Sequence, residues 1–174
     1  MAFTFASARR GLWALFLIAS TAGYAQTTGV SLNGTWRLAL GSNVADIERL
    51  SRFYQSGFDE AGFRPIPVPS NWSLQGFEEP AYGRLKPTAS EGFYVHTFQA
   101  PAGFRGKRVL LHFDGVWQSA EVWLNGQPLG RHDSGFTAFA FDISKVVVPG
   151  NENRLAVRVR QFTKDYLFDT NDDW

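Results

Sequence analysis

The last nine residues of this 174-residue chain carry the densest set of side chains that could bind a ligand. Asp169, Asp172 and Asp173 stand beside Asn171, with aromatic residues on both sides of the group. Hard cations prefer carboxylate and amide oxygens, and an aromatic neighbour suits the apolar face of a sugar. Residue spacing alone favours a solvated, frayed C-terminus over a binding site.

Two other polar groupings invite a catalytic interpretation. Glu78 and Glu79 are adjacent carboxylates, but neighbours on an extended chain point apart, so a solvated loop pair is favoured over an acid/base pair. The run His132-Asp133-Ser134 contains the three residue types of a hydrolase triad. Adjacent residues cannot form the spatial relay of a triad, and this run is predicted to be a polar turn.

The remaining histidines and the tryptophans are predicted to be packing residues. His96 and His112 fall in strands and have no partner histidine at metal spacing. The tryptophans expected in the core or at an interface include Trp36, Trp72, Trp117 and Trp123. The chain contains no cysteine, which excludes disulfides, thiolate nucleophiles and thiolate metal ligands.

Alternating apolar and polar residues predict an all-β protein. Asn125-Gly126 lies between two alternating runs, which is the strongest short-range signal for a β-hairpin. The predicted strands are 32–40, 92–99, 107–113, 119–124, 135–142 and 153–161. Short strands separated by turn residues indicate an antiparallel β-sandwich.

Two stretches do not follow this pattern. Val44 to Phe53 fits a short helix and an irregular loop equally well. Gly57 to Thr88 is rich in Gly, Pro, Ser and Asn, and is predicted to be a long, packed loop region with only short extended pieces.

Composition and charge exclude several functional classes. The 17 basic and 16 acidic residues give a net charge of +1, which offers no electrostatic surface for nucleic acid or an anionic membrane. Residues 1–25 contain Arg9-Arg10, a short apolar run and small residues up to Ala25, and are predicted to be a secretory signal peptide. The run is shorter than the roughly 20 residues that span a bilayer. We therefore expect a secreted or periplasmic protein with a flexible N-terminus at 26–31.

Several words occur together in one order and spacing along 32–174. They are LNGTW at 32–36, VPSNW at 68–72, FYVHTF at 93–98, VWLNG at 122–126, FDI at 141–143 and NENRLAV at 151–157. In this order they resemble the N-terminal jelly-roll domain of glycoside hydrolase family 2, the β-galactosidase and β-glucuronidase group.

The resemblance implies a galactose-binding-domain-like jelly roll over 32–174. In the family, a further strand follows the acidic, Trp-containing word that here ends at Trp174. We therefore expect a fragment that lacks the last strand of its sandwich, together with the immunoglobulin-like and barrel domains. A missing strand would expose the backbone of its neighbour, which favours edge-to-edge pairing.

The resemblance also implies roles for particular residues. Aligned on Trp174, the aspartate that contacts galactose and a monovalent cation in β-galactosidases corresponds to Asp172, with Asp169 and Asp173 as alternatives. Both catalytic glutamates of the retaining enzymes lie in the barrel, so this chain is expected to contain no catalytic residue and to be inactive alone. We expect no cofactor in the fragment; Na⁺ or K⁺, with Mg²⁺, is implied for the intact enzyme.

The expected partners are a β-galactoside or related sugar and the barrel domain, without nucleic acid or membrane. The asparagine expected after a Pro-x-Tyr word is missing after Pro80-Ala81-Tyr82, which leaves β-glucuronidase and β-mannosidase as alternative enzymes. A stand-alone secreted carbohydrate-binding module and a structural or partner-binding sandwich remain as alternatives from other classes.

Overall fold

A computed structural model describes residues 29–78 and 91–160 of the chain. The described residues from Leu32 onward belong to one compact unit. The elements are β1 (Gly34–Gly41), α1 (Val44–Leu50), β2 (Arg64–Val68), β3 (Glu91–Gln99), β4 (Leu110–Phe113), β5 (Ser119–Leu124), β6 (Gln127–Asp133), β7 (Phe139–Asp142) and β8 (Glu152–Arg160). The predicted signal peptide at 1–25 lies outside the described residues. Among those residues, no helix is long and apolar enough to cross a membrane.

The described strands form two antiparallel sheets that enclose the main core. The larger sheet has the order β2-β1-β3-β8-β5-β6, and the smaller sheet pairs β4 with β7. Leu38, Val122 and Leu155 of the larger sheet are completely or almost completely buried and share one apolar cluster with Leu111 of β4 and Ile143 after β7. The predicted all-β, antiparallel sandwich is confirmed.

The predicted hairpin joins β5 to β6 through Asn125 and Gly126, whose φ angles are 52° and 79°. The Asn125 side chain also forms hydrogen bonds with residues before β8 and at its start. Its Nδ2 donates to Asn153 Oδ1 at 2.8 Å and to the Val146 carbonyl at 3.0 Å, and its Oδ1 accepts from the Arg154 amide. The turn residue therefore fixes the start of β8 as well as the hairpin.

Asn153 is 1% exposed, yet its amide is fully hydrogen-bonded. Its oxygen accepts from Asn125 and from the Val148 amide at 2.8 Å, and its nitrogen donates to the carbonyls of Val148 and Asn151. A satisfied buried amide stabilises one backbone arrangement strongly, because any displacement leaves several polar groups unpaired.

The outer face of the larger sheet is partly covered by α1 and the turns that follow it. The stretch that the sequence left open as helix or loop is a helix over Val44–Leu50. Asn43 Oδ1 accepts from the Asp46 amide while its Nδ2 donates to Asp46 Oδ2, a reciprocal cap that defines the helix start. Behind the helix, Phe53 packs edge-on against Phe93 and Trp123.

The outward face of β8 carries three arginines, and all of them are paired. Arg154 Nη2 bonds Glu60 Oε1 at 2.9 Å and the Phe53 carbonyl at 2.7 Å. Arg158 and Arg160 both bridge the carboxylates of Glu91 in β3 and Glu121 in β5, at 2.5 to 3.4 Å. The arginine side chains are only 19% to 25% exposed, so these pairs are screened less than surface ion pairs.

Both edge strands of the larger sheet contain proline. β2 carries Pro65 and Pro67, which pair opposite Arg37 and Thr35 of β1. β6 carries Pro128 near a register shift between Val122 and Trp123. Proline lacks the N–H that a central strand needs, and it is tolerated at edges.

Gln118 interrupts the apolar core just before β5. Its side chain is completely buried, and neither amide atom has a hydrogen-bond partner within the structure. Its backbone N–H, by contrast, donates to the Arg160 carbonyl at 3.1 Å. Within the described part of the chain, the side chain therefore carries a desolvation cost that no hydrogen bond offsets.

The two buried amides predict opposite effects of apolar substitution. Asn153→Leu removes four hydrogen bonds and leaves their partners unpaired, and should lower the free energy of unfolding by about 2–4 kcal/mol. Gln118→Met removes two unpaired polar atoms at similar volume, and should raise it by about 1–2 kcal/mol. Urea unfolding followed by tryptophan fluorescence measures both changes. A loss of stability in Gln118→Met would contradict the absence of partners for that amide.

The ion pairs on β8 predict a measurable cost for neutralising Glu91. Glu91→Gln leaves Arg158 and Arg160 with Glu121 as the remaining acidic neighbour, and should cost about 1–3 kcal/mol of unfolding free energy. Glu48→Gln makes the same chemical change on the exposed face of α1 and should be close to neutral. Equal effects of the two variants in urea unfolding would show that the network contributes no specific stability.

Candidate functional site

The predicted substrate and metal residue, Asp172, lies outside the described residues, as do Asp169 and Asp173. Its role in binding a sugar or a cation stays a prediction. Pro80-Ala81-Tyr82 and Glu79 also lie outside. The structure does describe the strand ends to which both segments, 79–90 and 161–174, are covalently joined.

These strand ends share one row of the larger sheet. Glu91, where the chain enters β3, pairs directly with Arg160, where it leaves β8. The complete row, which we call the exit row, consists of Gly41, Glu91, Arg160, Ser119 and Asp133. Segments 79–90 and 161–174 are therefore attached at the same end of the sheet, on neighbouring strands.

The charged residues of the exit row are all paired. Glu91 lies 3.3 Å from Arg160, and Asp133 Oδ1 accepts from Arg131 Nε at 2.6 Å. Partial burial opposes ionisation of Asp133, but the nearby Ser119 hydroxyl, the hydrogen bond from Arg131 and the charges of Arg131 and Arg160 outweigh it and lower the pKa of Asp133. Asp133 is therefore a carboxylate at neutral pH, and the row presents no large field of either sign.

An aromatic pair lies beside the row, in the loops before β5 and after β6. Phe136 is 72% exposed, and its ring meets that of half-buried Trp117 at 4.9 Å and 80°. The indole lies against Gly135 so closely that a Cβ there would sit 2.3 Å from Trp117 Cε3. Gly135 is thus required for the indole to lie flat on the loop, with Phe136 beside it. We call Trp117 and Phe136 the aromatic pair.

Glu78 has a structural partner. Its Oε1 accepts from the Trp72 indole at 2.5 Å and from the Ser73 hydroxyl at 3.2 Å. The Trp72 ring in turn lies over Gly92, where a Cβ would approach Cζ3 to 2.5 Å. Glu78 therefore holds the VPSNW word against β3, which argues against an acid/base role for this carboxylate.

The His132-Asp133-Ser134 run does not form a relay. His132 stacks on Phe139 at 4.2 Å, and its Nε2 lies 2.9 Å from the Thr137 hydroxyl. Asp133 pairs with Arg131. The side chains bind different partners, as expected for polar residues around a turn, although His132 and Asp133 belong to β6 itself.

The predicted packing roles of His96 and most tryptophans are confirmed. His96 stacks between Trp36, at 4.8 Å, and Phe98, and its burial lowers its pKa although a hydrogen bond with the backbone of Thr35 opposes the shift. Trp36 and Trp72 are core residues, and Trp123 stacks on Tyr54. His112 lies at the surface, 3.1 Å from Asp114.

Within residues 29–78 and 91–160, no group of three or more histidine, aspartate or glutamate side chains is arranged to hold a metal ion. The carboxylates that do converge, Glu91 and Glu121, face guanidinium groups and are already neutralised. This part of the chain does not fit a metal centre.

Comparison with known proteins places the whole described region in one family. The description "Glycosyl hydrolases family 2, sugar binding domain" matches residues 30–174. A β-galactosidase of Streptococcus thermophilus is 32% identical over 160 residues, which cover 83% of this chain and 15% of that protein. A β-galactosidase large subunit of Latilactobacillus sakei is 32% identical over 75% of this chain and 25% of its own length.

Solved structures give the same fold. The crystal structure of Ruminococcus gnavus β-glucuronidase in complex with uronic isofagomine superposes with a TM-score of 0.62 at 27% identity, covering 75% of this chain and 20% of that chain. The chain thus spans about a quarter or less of the length of these relatives. The sequence words, the antiparallel sandwich and these similarities all agree. The chain belongs to the family of sugar binding domains of glycosyl hydrolases family 2.

Proposed function

We propose that this chain is the N-terminal, non-catalytic domain of an exported family 2 glycosidase that acts on β-galactosides. The observation that carries the proposal is the 32% identity to a β-galactosidase over 83% of the chain. Its task would be to support the catalytic barrel and to lend an acidic segment to the sugar site. Export is supported by the arginine pair, apolar run and small residues of positions 1–25.

The non-catalytic role is supported by how the described acids are used. Retaining hydrolysis needs two carboxyl groups about 5–5.5 Å apart, one free to attack and one free to transfer a proton. Glu60, Glu91 and Glu121 instead neutralise the arginines of β8, and Glu78 binds the Trp72 indole. In the proposal, both catalytic glutamates belong to a barrel domain outside these 174 residues.

Asp172 is the proposed contact to the sugar and to a monovalent cation. Its segment leaves β8 at Arg160, within the exit row, where Glu91 and Glu121 hold the strand end. Since residues 29–78 and 91–160 offer no ligand cluster, the other ligands of such a cation would come from elsewhere in the enzyme.

β-Glucuronidase and β-mannosidase are the alternative enzymes. The R. gnavus structures favour the first of these, at 27% identity. A uronate needs a cationic partner, and each guanidinium group of the described part of β8 already faces a carboxylate. The paired charges of the exit row therefore support a neutral sugar.

A carbohydrate-binding module is the second candidate, because Phe136 offers an exposed ring beside Trp117. A ligand that binds the folded state raises its melting temperature by mass action. A clear rise in the melting temperature of the chain by itself in galactose, together with no hydrolysis by a chimera that joins the chain to a family barrel, would favour the module.

The proposal predicts that activity depends on Asp172 and on a barrel. The chain alone should not hydrolyse p-nitrophenyl β-D-galactopyranoside, whereas a chimera in which residues 30–174 replace the matching segment of the S. thermophilus enzyme should hydrolyse it. In the chimera, Asp172→Asn should lower kcat/KM by at least about 30-fold, the effect expected when a charged hydrogen bond to the reacting sugar is lost.

Asp169→Asn and Asp173→Asn are matched controls in the same segment and should stay within a few-fold of the parent chimera. Hydrolysis by the chain alone would overturn the non-catalytic role. Loss of activity in Asp173→Asn or Asp169→Asn, with Asp172→Asn unaffected, would move the functional aspartate.

A further inference from the structure

We propose that the aromatic pair, Trp117 and Phe136, is a platform that binds the apolar face of a neutral pyranose. The inference rests on the carbohydrate class in the proposed function, and it adds a specific place for the sugar among the described residues. The Phe136 ring is exposed, and the described residues show no structural reason for its exposure.

Among the described residues, six large apolar side chains are exposed, and Phe136 is the aromatic one. Its exposed fraction is 72%, and the other five exposed large apolar residues, Val30, Val44, Leu74, Leu110 and Val148, are aliphatic. Leaving a phenyl ring in water forgoes about 1.5–3 kcal/mol of burial. Single exposed apolar residues are common, so exposure alone does not identify a site.

The second observation is that the ring is held in place. Phe136 meets Trp117 edge-on at 4.9 Å, and the indole rests on the backbone of Gly135. On either side of the ring, the Phe136 amide lies 3.4 Å from Ser134 Oγ, and Thr137 Oγ1 lies 2.9 Å from His132 Nε2. A ring fixed before binding loses little conformational entropy when a ligand stacks on it.

Polar groups suited to sugar hydroxyls come directly before this loop. Asp133 ends β6, and its carboxylate pairs with the guanidinium of Arg131 at 2.6 Å. Their side chains remain 48% and 39% exposed, so each keeps hydrogen-bonding capacity for a ligand. The pair has no net charge, which suits a neutral sugar better than a uronate or a phosphate.

The size of the apolar surface also favours a sugar over a protein. A stable protein interface buries about 800 Å² on each partner, with a well-packed apolar centre. Here a single ring is exposed, and the chain shortly before it carries the charged residue Asp133. One phenyl face matches one pyranose, and binding of that kind is weak, in the millimolar range.

The test uses the full chain with methyl β-D-galactopyranoside and β-1,4-galactotriose as probes. Saturation-transfer NMR should show transfer from aromatic protons to the C–H face of the sugar, and titration should give a millimolar Kd. Phe136→Ala should weaken binding at least fivefold without changing the melting temperature, because the ring is exposed. Phe136→Tyr should retain binding, and Phe136→Leu, which keeps an apolar side chain but no flat ring, should not.

Leu74→Ala is the matched control, since Leu74 is 67% exposed and lies outside the aromatic pair. Equal binding by the parent chain and Phe136→Ala, or no saturation transfer from the parent chain to the sugar at all, would overturn the inference. Asp172→Asn, titrated in parallel, separates the two proposals. Binding lost only in Asp172→Asn overturns the platform. Binding lost only in Phe136→Ala supports the platform, and the role of Asp172 is then decided by the activity of the chimera.

Discussion

The structure depends on neutralising three guanidinium groups on one central strand. β8 has neighbours on both sides, its inward face fills the core, and its outward face carries Arg154, Arg158 and Arg160. Charges at this depth are tolerated only when they are paired. Their partners come from β3, from β5 and from the turns after α1, so satisfying β8 also fixes how these parts are arranged.

This arrangement links the core to the exit row. Asn125 and Asn153 fix the start of β8, while Glu91 and Glu121 fix its end. β8 therefore runs from the hydrogen-bonded side chains of Asn125 and Asn153 to the exit row. In the proposed enzyme, a one-residue shift in the register of β8 would move the point at which the segment containing Asp172 is attached. It would also turn the side chains of β8 to the opposite face of the sheet.

Local sequence patterns predicted much of the fold, and long-range contacts explain what they missed. β5 and β8 alternate clearly, and the Asn125-Gly126 signal located the hairpin. β2 was predicted only as part of a loop region, because Pro65 and Pro67 are residues typical of loops. A strand can contain these prolines here because β2 lies at the edge of the sheet. The charge partners of β8 could not be predicted, since Arg154 and Glu60 are 94 residues apart. Asp172 came from family resemblance. Trp117 was predicted to be a packing residue and Phe136 was not singled out, because no local pattern separates an exposed aromatic residue from a core one.

The prolines at both edges of the larger sheet have a consequence for how this domain meets other molecules. An edge strand with free N–H groups invites a further strand, and chains that add strands to one another form open-ended polymers. β2 and β6 each lack donors where proline stands. Growth of the larger sheet at these two described edges is thereby disfavoured, and a neighbouring domain that meets them would recognise side chains on a face more readily than backbone along a border. Such contacts are set by residue identity, so they can be selective in a way that strand addition cannot.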